Sequence, residues 1–202
     1  MIIAQITDMH VRAPDGRCNG FIDTNGYLER AVDALNAMTP RPDVVLATGD
    51  LTDCGLPAEY GVLRAILGRL HMPVYAIPGN HDRRSEMRHA FAGSGYLPAD
   101  GPFLHYAVER HAVRLIGLDS VVPGKGYGSI CAERRAWLAA RLAEQPEKPT
   151  VIFLHHPPFP TGLKQMDQIG CRDGAELGRV IAPYRNVLRV LSLGFMLVMV
   201  LL

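Results

Sequence analysis

Val44-Val45-Leu46-Ala47-Thr48 is an unbroken apolar run that stops at Gly49-Asp50. A strand with one wet face alternates apolar and polar residues, whereas an unbroken run needs burial on both faces, as in a parallel sheet covered by helices. The run is the middle of three similar units. Ile2 to Thr7 is apolar and β-prone before Asp8-Met9-His10, and Val74 to Ile77 stops at Pro78-Gly79-Asn80-His81-Asp82. Between them, Leu28, Ala31, Val32, Leu35 and Met38 fall at helical spacing behind a cap at Asp23 or Thr24, and Pro40 and Pro42 end that helix. Tyr60, Leu63, Ile66, Leu67 and Leu70 repeat the pattern behind Pro57. This alternation predicts an α/β fold with a largely parallel sheet at its start.

Further on, Arg83 to Phe91 reads as a short helix and Gly93 to Pro102 as a loop. Leu104 to Val108 and Ala112 to Leu118 read as a hairpin around Glu109-Arg110-His111. Gly124-Lys125-Gly126-Tyr127-Gly128 is a flexible loop without the spacing of a phosphate-binding P-loop. Ala132 to Leu142 predicts an amphipathic helix, Thr150 to Leu154 a buried strand ending in His155-His156, Arg172 to Ala182 a helix, and Val187 to Leu191 a last strand. From Val190 to Leu202 no charged residue occurs; these 13 residues are short for a membrane span, which needs roughly 20.

Composition narrows the function. With 21 Lys and Arg against 20 Asp and Glu, no electrostatic footprint for a nucleic-acid polymer is present. Cys18, Cys54, Cys131 and Cys171 are scattered without a CxxC pair, which argues against a cysteine zinc site or a disulfide framework. The first residues lack the basic segment of a secretory signal, so a cytoplasmic protein without a membrane partner is expected.

The chemistry gathers where strands end. Asp8-x-His10, Gly49-Asp50, Gly79-Asn80-His81-Asp82 and His155-His156 put carboxylate, imidazole and amide oxygen at four successive strand ends, the usual location of ligands in open α/β sheets. If Asp8 and His10 lie on an extended segment, residues i and i+2 point to one side. Carboxylate with imidazole suits Zn, Fe or Mn, an Asp can bridge two ions, and ions about 3.5–4 Å apart can clamp a phosphoryl group. Singly, each residue has a blander role as cap, turn residue or hydrogen-bonding partner; together and in this order they point to a metal centre.

Together the motifs resemble those of the calcineurin-like metallophosphoesterases, in the bacterial branch of cyclic-nucleotide phosphodiesterases and glycerophosphodiesterases. The resemblance implies two facing β-sheets flanked by helices, a four-layer α-β-β-α sandwich over residues 1–191 that is incomplete at its C-terminal end. It implies two metal ions (Fe, Mn, Zn or Co): Asp8 and His10 on the first, Asp50 bridging, Asn80 and His156 on the second. His81 would stand beside the phosphate, stabilising it or protonating the leaving oxygen. The implied reaction is hydrolysis of a cyclic nucleotide or small glycerophosphodiester by a metal-bridging hydroxide, and the intact relatives can form homo-oligomers. His155 then packs or hydrogen-bonds, Asp53 and Asp82 support or cap, Asp119-Ser120 caps a loop, and Asn19, Phe21 and Tyr127 are possible substrate contacts. His71, His89, His105 and His111 are surface or structural.

One departure accompanies the match. The family's Gly-His-x-His motif should follow Val187–Leu191, but Ser192-Leu193-Gly194-Phe195-Met196 stands there and no His follows His156. Truncation or a frameshift, leaving residues 192–202 as an aberrant apolar tail, accounts for this departure. Impaired turnover is then expected. The alternative is a non-catalytic interaction module on the same scaffold.

Overall fold

The computed structural model describes residues 1–192 and 199–201. Its elements are β1 (Ile3–Ile6), α1 (Thr24–Ala37), β2 (Val44–Thr48), α2 (Pro57–Leu67), β3 (Val74–Ile77), α3 (Arg84–Ala90), β4 (Tyr106–Val108), β5 (Arg114–Leu118), α4 (Ala132–Glu144), β6 (Thr150–Leu154), α5 (Lys164–Gln168), α6 (Gly174–Ile181), β7 (Val187–Leu191) and β8 (Met199–Leu201). The strands form two four-stranded sheets, ordered β3-β2-β1-β8 and β4-β5-β6-β7. β1, β2 and β3 are parallel, as the three repeated units predict, and β8 lies antiparallel to β1. In the second sheet β4 and β5 make the expected antiparallel pair, followed by β6 and β7 in parallel.

The period-two geometry of a strand explains why Val44 to Thr48 has no polar break. Val44 and Leu46, with Tyr75 and Ile77 of β3, face the second sheet and join Leu115, Ile116 and Phe153 in one core. Val45, Ala47 and Ala76 face the other way, into a second core with Leu28 and Val32 of α1 and Leu63 of α2. Leu138 and Leu142 of α4 and Leu177 of α6 pack on the second sheet. The result is the four-layer arrangement of helices outside two facing sheets.

Helix starts tie this scaffold to the loops at the strand ends. Asp23 caps α1, accepting from the Gly26 N–H at 3.1 Å. The next residue, Thr24, donates its hydroxyl to the His10 carbonyl at 2.8 Å. Glu59, in the first turn of α2, accepts from the N–H groups of Cys54 (2.9 Å) and Leu56 (3.1 Å), fixing the loop after β2. A cap costs little sequence and is worth ~1 kcal/mol, so here one device both starts a helix and holds a functional loop.

Two elements go beyond the sequence expectations. α5 is five residues long, too short to show periodicity. β8 lies within the apolar stretch expected to be a separate tail, and its backbone extends the first sheet. The Gly-His-x-His departure at residues 192–196 lies, apart from Ser192, outside the described residues. Among the described residues, no helix is long and apolar enough to cross a membrane.

Candidate metal centre

The loops after β1 and β2 run side by side, with Asp8 N–H to Gly49 O (3.1 Å), His10 N–H to Asp50 O (3.0 Å) and Val11 N–H to Leu51 O (3.1 Å). Within them Asp8, His10 and Asp50 have positive φ, at 54°, 42° and 47°. Left-handed backbone at a non-glycine residue costs on the order of 1 kcal/mol and persists where surrounding contacts enforce it, typically at functional sites. The geometry corrects the reading of Asp8-x-His10 as an extended segment. Asp8 groups with Asp50 and His155, whereas His10 groups with Asp53 and His81.

Asp50 joins the two groups. Its Oδ2 lies 3.8 Å from His10 Nε2 and 4.0 Å from His81 Nε2, and its Oδ1 lies 3.5 Å from His155 Nε2. Oδ1 also accepts from the His81 backbone N–H at 2.9 Å. This approach explains the glycine of Gly79-Asn80-His81: a Cβ at Gly79 would stand 2.2 Å from both the backbone nitrogen and Oδ1 of Asp50.

Electrostatics follow from this packing. Burial pushes the Asp50 carboxyl up, but hydrogen bonding and charge from His155 and His81 override it and hold the group well below the usual carboxylate range. Burial pushes His155 down, and Asp50, with help from Asp8, carries it the other way to about 9. His155 Nδ1 donates to the Thr48 carbonyl at 2.9 Å, which turns Nε2 toward Asp50. Asp8 is pushed up by burial, partly offset by His155.

His156 reaches the site differently. Its Nδ1 is 2.8 Å from Ser120 Oγ, and its Nε2 is buried without a hydrogen-bond partner. Burial, reinforced by the charge on His155, lowers it to about 3, so the ring is neutral and its lone pair is available. Asn80 is half-buried and lines a cleft of about 590 Å³ together with His81, Arg83, Arg84, Ser85 and Pro123. Asn19, Phe21 and Tyr127 are not among the lining residues. Tyr127 instead stacks under the Arg172 guanidinium, 3.3 Å from its ring centroid.

The supporting residues were less visible from sequence. Asp82 accepts from Leu51 N–H (3.0 Å), Thr52 N–H (3.2 Å), Thr52 Oγ1 (3.1 Å), the Tyr60 hydroxyl (2.8 Å) and Gly79 N–H (2.9 Å), pinning the Asp50 loop to the Asn80 turn. Asp53 pairs with Arg12 at 2.5 Å, stands 3.3 Å from His10 Nδ1, and lends its backbone carbonyl to His81 Nδ1 at 2.7 Å. Asp119 is the loop cap expected of it, accepting from Val121 N–H (3.0 Å), Leu104 N–H (2.9 Å) and the Arg84 guanidinium. Ser120 and Thr48 left no sequence signal beyond being polar at the end of an apolar run.

The donor set fits a divalent or trivalent metal. The orphaned Nε2 of His156 is a buried acceptor that an ion would satisfy, and carboxylate mixed with imidazole is the chemistry that Zn, Fe and Mn favour.

A family model described as calcineurin-like phosphoesterase matches residues 1–192. A glycerophosphodiester phosphodiesterase of Enterobacter lignolyticus is 37% identical over 191 residues, covering 94% of this chain and 69% of that protein. A 3',5'-cyclic adenosine monophosphate phosphodiesterase of Escherichia coli is 31% identical over 185 residues, covering 92% of this chain and 66% of that protein. Among solved structures, a dimetal phosphatase from Danio rerio superposes with a TM-score of 0.69 at 15% identity, covering 95% of this chain and 80% of its own, a likeness of fold.

Proposed function

The chain belongs to the calcineurin-like phosphoesterase family, and from that premise we propose that it is a binuclear phosphodiesterase acting on small phosphodiesters, glycerophosphodiesters or cyclic nucleotides. Membership makes it a metal-dependent hydrolase of phosphoric esters. The observation that supports the finer reading is the position of Asp50, whose Oδ2 faces His10 Nε2, together with the buried, unpartnered Nε2 of His156 at the neighbouring strand end.

The proposed assignment puts Asp8 and His10 on one ion and Asn80 and His156 on the other, with Asp50 between them. Since Asp8 groups here with Asp50 and His155, and His10 with Asp53 and His81, metal loading would have to draw Asp8 and His10 to a common point. When bound, the ions supply Lewis acidity toward phosphoryl oxygens and a nucleophile at neutral pH. The chain's own residues do the rest. The Asp53 carbonyl accepts from His81 Nδ1, so Nε2 is the ring atom free to hold or deliver a proton in the cleft. The Thr48 carbonyl and Ser120 hydroxyl orient His155 and His156, and Asp82 keeps the Asp50 loop and the Asn80 turn in register.

Loading the protein with Mn, Fe, Zn or Co, counting ions per chain by elemental analysis and following bis(p-nitrophenyl) phosphate tests this reading. Two ions per chain with metal-dependent release of nitrophenol is the expected result. A single ion per chain would refute the binuclear reading. Neither uptake nor hydrolysis would favour the non-catalytic module.

A further inference from the structure

The cleft beside His81 contains an imbalance of charge that hydrolysis of a simple diester does not require. Its carboxylates are all engaged inside the protein. Asp53 is paired with Arg12, Asp82 accepts from five donors, and Asp119, behind the wall, takes both arms of Arg84. Arg84 is thereby spent, and its second nitrogen also donates to the Val121 carbonyl at 2.7 Å. Arg83 is different. It lines the same cleft, and among the described residues its guanidinium has no carboxylate or carbonyl partner.

Its stem packs against Gly55. Gly55 has φ +67°, and a Cβ there would fall 2.6 Å from Arg83 Cγ and 3.1 Å from its backbone nitrogen. The side chain is therefore laid over the bare backbone of Gly55, in a space that no other residue type at position 55 would leave. Its backbone is anchored as the residue before α3, where the Arg83 carbonyl accepts from Met87 N–H at 2.9 Å. An exposed side chain whose Cγ packs on Gly55 and whose guanidinium is uncommitted, two residues from His81, is a fork available to whatever occupies the cleft.

From this we infer that the cleft selects phosphodiesters whose group beyond the reacting phosphorus carries its own anion, a carboxylate or phosphomonoester, which Arg83 binds. The inference rests on the phosphodiesterase reading above and narrows its substrate class. Glycerol or an unmodified nucleoside offers the guanidinium hydroxyls or bases only; a tail carboxylate or phosphate offers it two charged oxygens in bidentate geometry.

Two aryl phosphodiesters that differ only in one tail substituent, p-carboxylate against p-carboxamide, separate the possibilities. Binding of their non-hydrolysable phosphonate analogues to the metal-loaded full chain is measured by calorimetry, and turnover of the diesters themselves is followed in parallel. The carboxylate analogue is expected to bind ~10-fold tighter than the carboxamide. Arg83→Gln should bring that ratio close to unity, and Arg83→Lys should keep part of it, since an ammonium retains the charge but not the fork. Lys125, an exposed cation next to the wall residue Gly124 but not itself lining the cleft, is the control for long-range attraction. Lys125→Gln should leave the ratio in place. Equal binding of the two analogues by the unaltered protein, or a ratio that survives Arg83→Gln, overturns the inference. Absence of turnover with the binding ratio intact would count against the hydrolase reading alone.

Discussion

The two sheets deliver their functional side chains by opposite means. From the first sheet, Asp8, His10 and Asp50 arrive on left-handed backbone, in loops bonded to each other and pinned by Asp82. From the second, His155 and His156 follow directly after the regular strand β6, and single side-chain or carbonyl partners aim their rings. Strain held by a network makes the first half all-or-none, because moving one loop moves all three. The second half is modular, because each ring has its own partner. That difference predicts where substitutions cost folding and where they cost only the metal.

The largest effect should come where the halves meet. Asp50→Asn keeps the shape of the group but removes the charge that faces His10, His81 and His155. Even outer partners of metal ligands are worth ~10–100-fold, so kcat/KM should fall by about 100-fold or more and metal content should drop below two ions per chain. Steady-state kinetics with elemental analysis checks this; retention of both ions would dissolve the distinction between a joined centre and two independent groups.

Asp82→Ala tests the network directly. It strands five buried donors at once, among them the N–H groups of Leu51 and Gly79 that flank the two ligand loops. Each unsatisfied buried group costs on the order of 1–3 kcal/mol, so a loss of about 3 kcal/mol or more in urea unfolding is expected. Asp82→Asn should recover little, because an amide has one acceptor oxygen where the carboxylate has two. A variant that folds normally but loses metal would place Asp82 with the modular half.

The same contrast explains what the sequence made legible. The strands Val44–Thr48, Val74–Ile77 and Thr150–Leu154 could be bounded because apolar runs ended in Gly-Asp, Pro-Gly-Asn or His-His, and each coincides with an observed strand. The layered fold followed from those runs and their intervening helical spacing. The candidate donors were visible because carboxylates and imidazoles at strand ends are conspicuous. How they are held was not. The hydroxyl of Tyr60 was hidden in a residue counted as apolar helix face, yet it donates to Asp82 across 22 positions. Ser120 is linked to His156 across 36 positions, and neither separation leaves a local pattern. The turn at Asp8-Met9-His10 departs from an extended segment where its backbone bonds to the neighbouring Asp50 loop, a contact about 40 positions away that leaves no local pattern.

Acid should distinguish the halves next. His105, just before β4, packs between Phe103 and Trp137, and its Nδ1 is buried without a partner. Burial lowers it from 6.5 to about 4. The unfolded chain therefore binds a proton in that interval before the folded one does, so stability is full above pH 6.5 and declines as pH falls toward 4. The loss is on the order of 2 kcal/mol by the bottom of the window. Asp50 is shifted the other way, so its contribution persists above pH 3.8 and goes only as pH falls further. Stability of the metal-free protein should thus decline between pH 7 and 4, and His105→Leu should remove part of that slope, the buried His156 supplying another part. If the slope is the same with and without His105, that residue is not an acid-sensitive group.

Ser120→Ala should have the smallest effect and says most about modularity. Removing the hydroxyl takes the partner from His156 Nδ1 and leaves the ring in a buried, neutral state. Because Ser120 also makes only a long 3.4 Å contact with the His156 N–H, folding should change by about 1 kcal/mol or less. Metal affinity, by contrast, depends on where Nε2 points, and loss of such an orienting bond is worth ~10-fold. Competition with a metal chelator reads the affinity, and urea unfolding of the apo-protein reads the fold. A fall in affinity without a fall in stability is the signature of a ligand held by one partner. A fall in both would mean that His156 belongs to a network after all, and the contrast between the two sheets would then lie in backbone geometry alone.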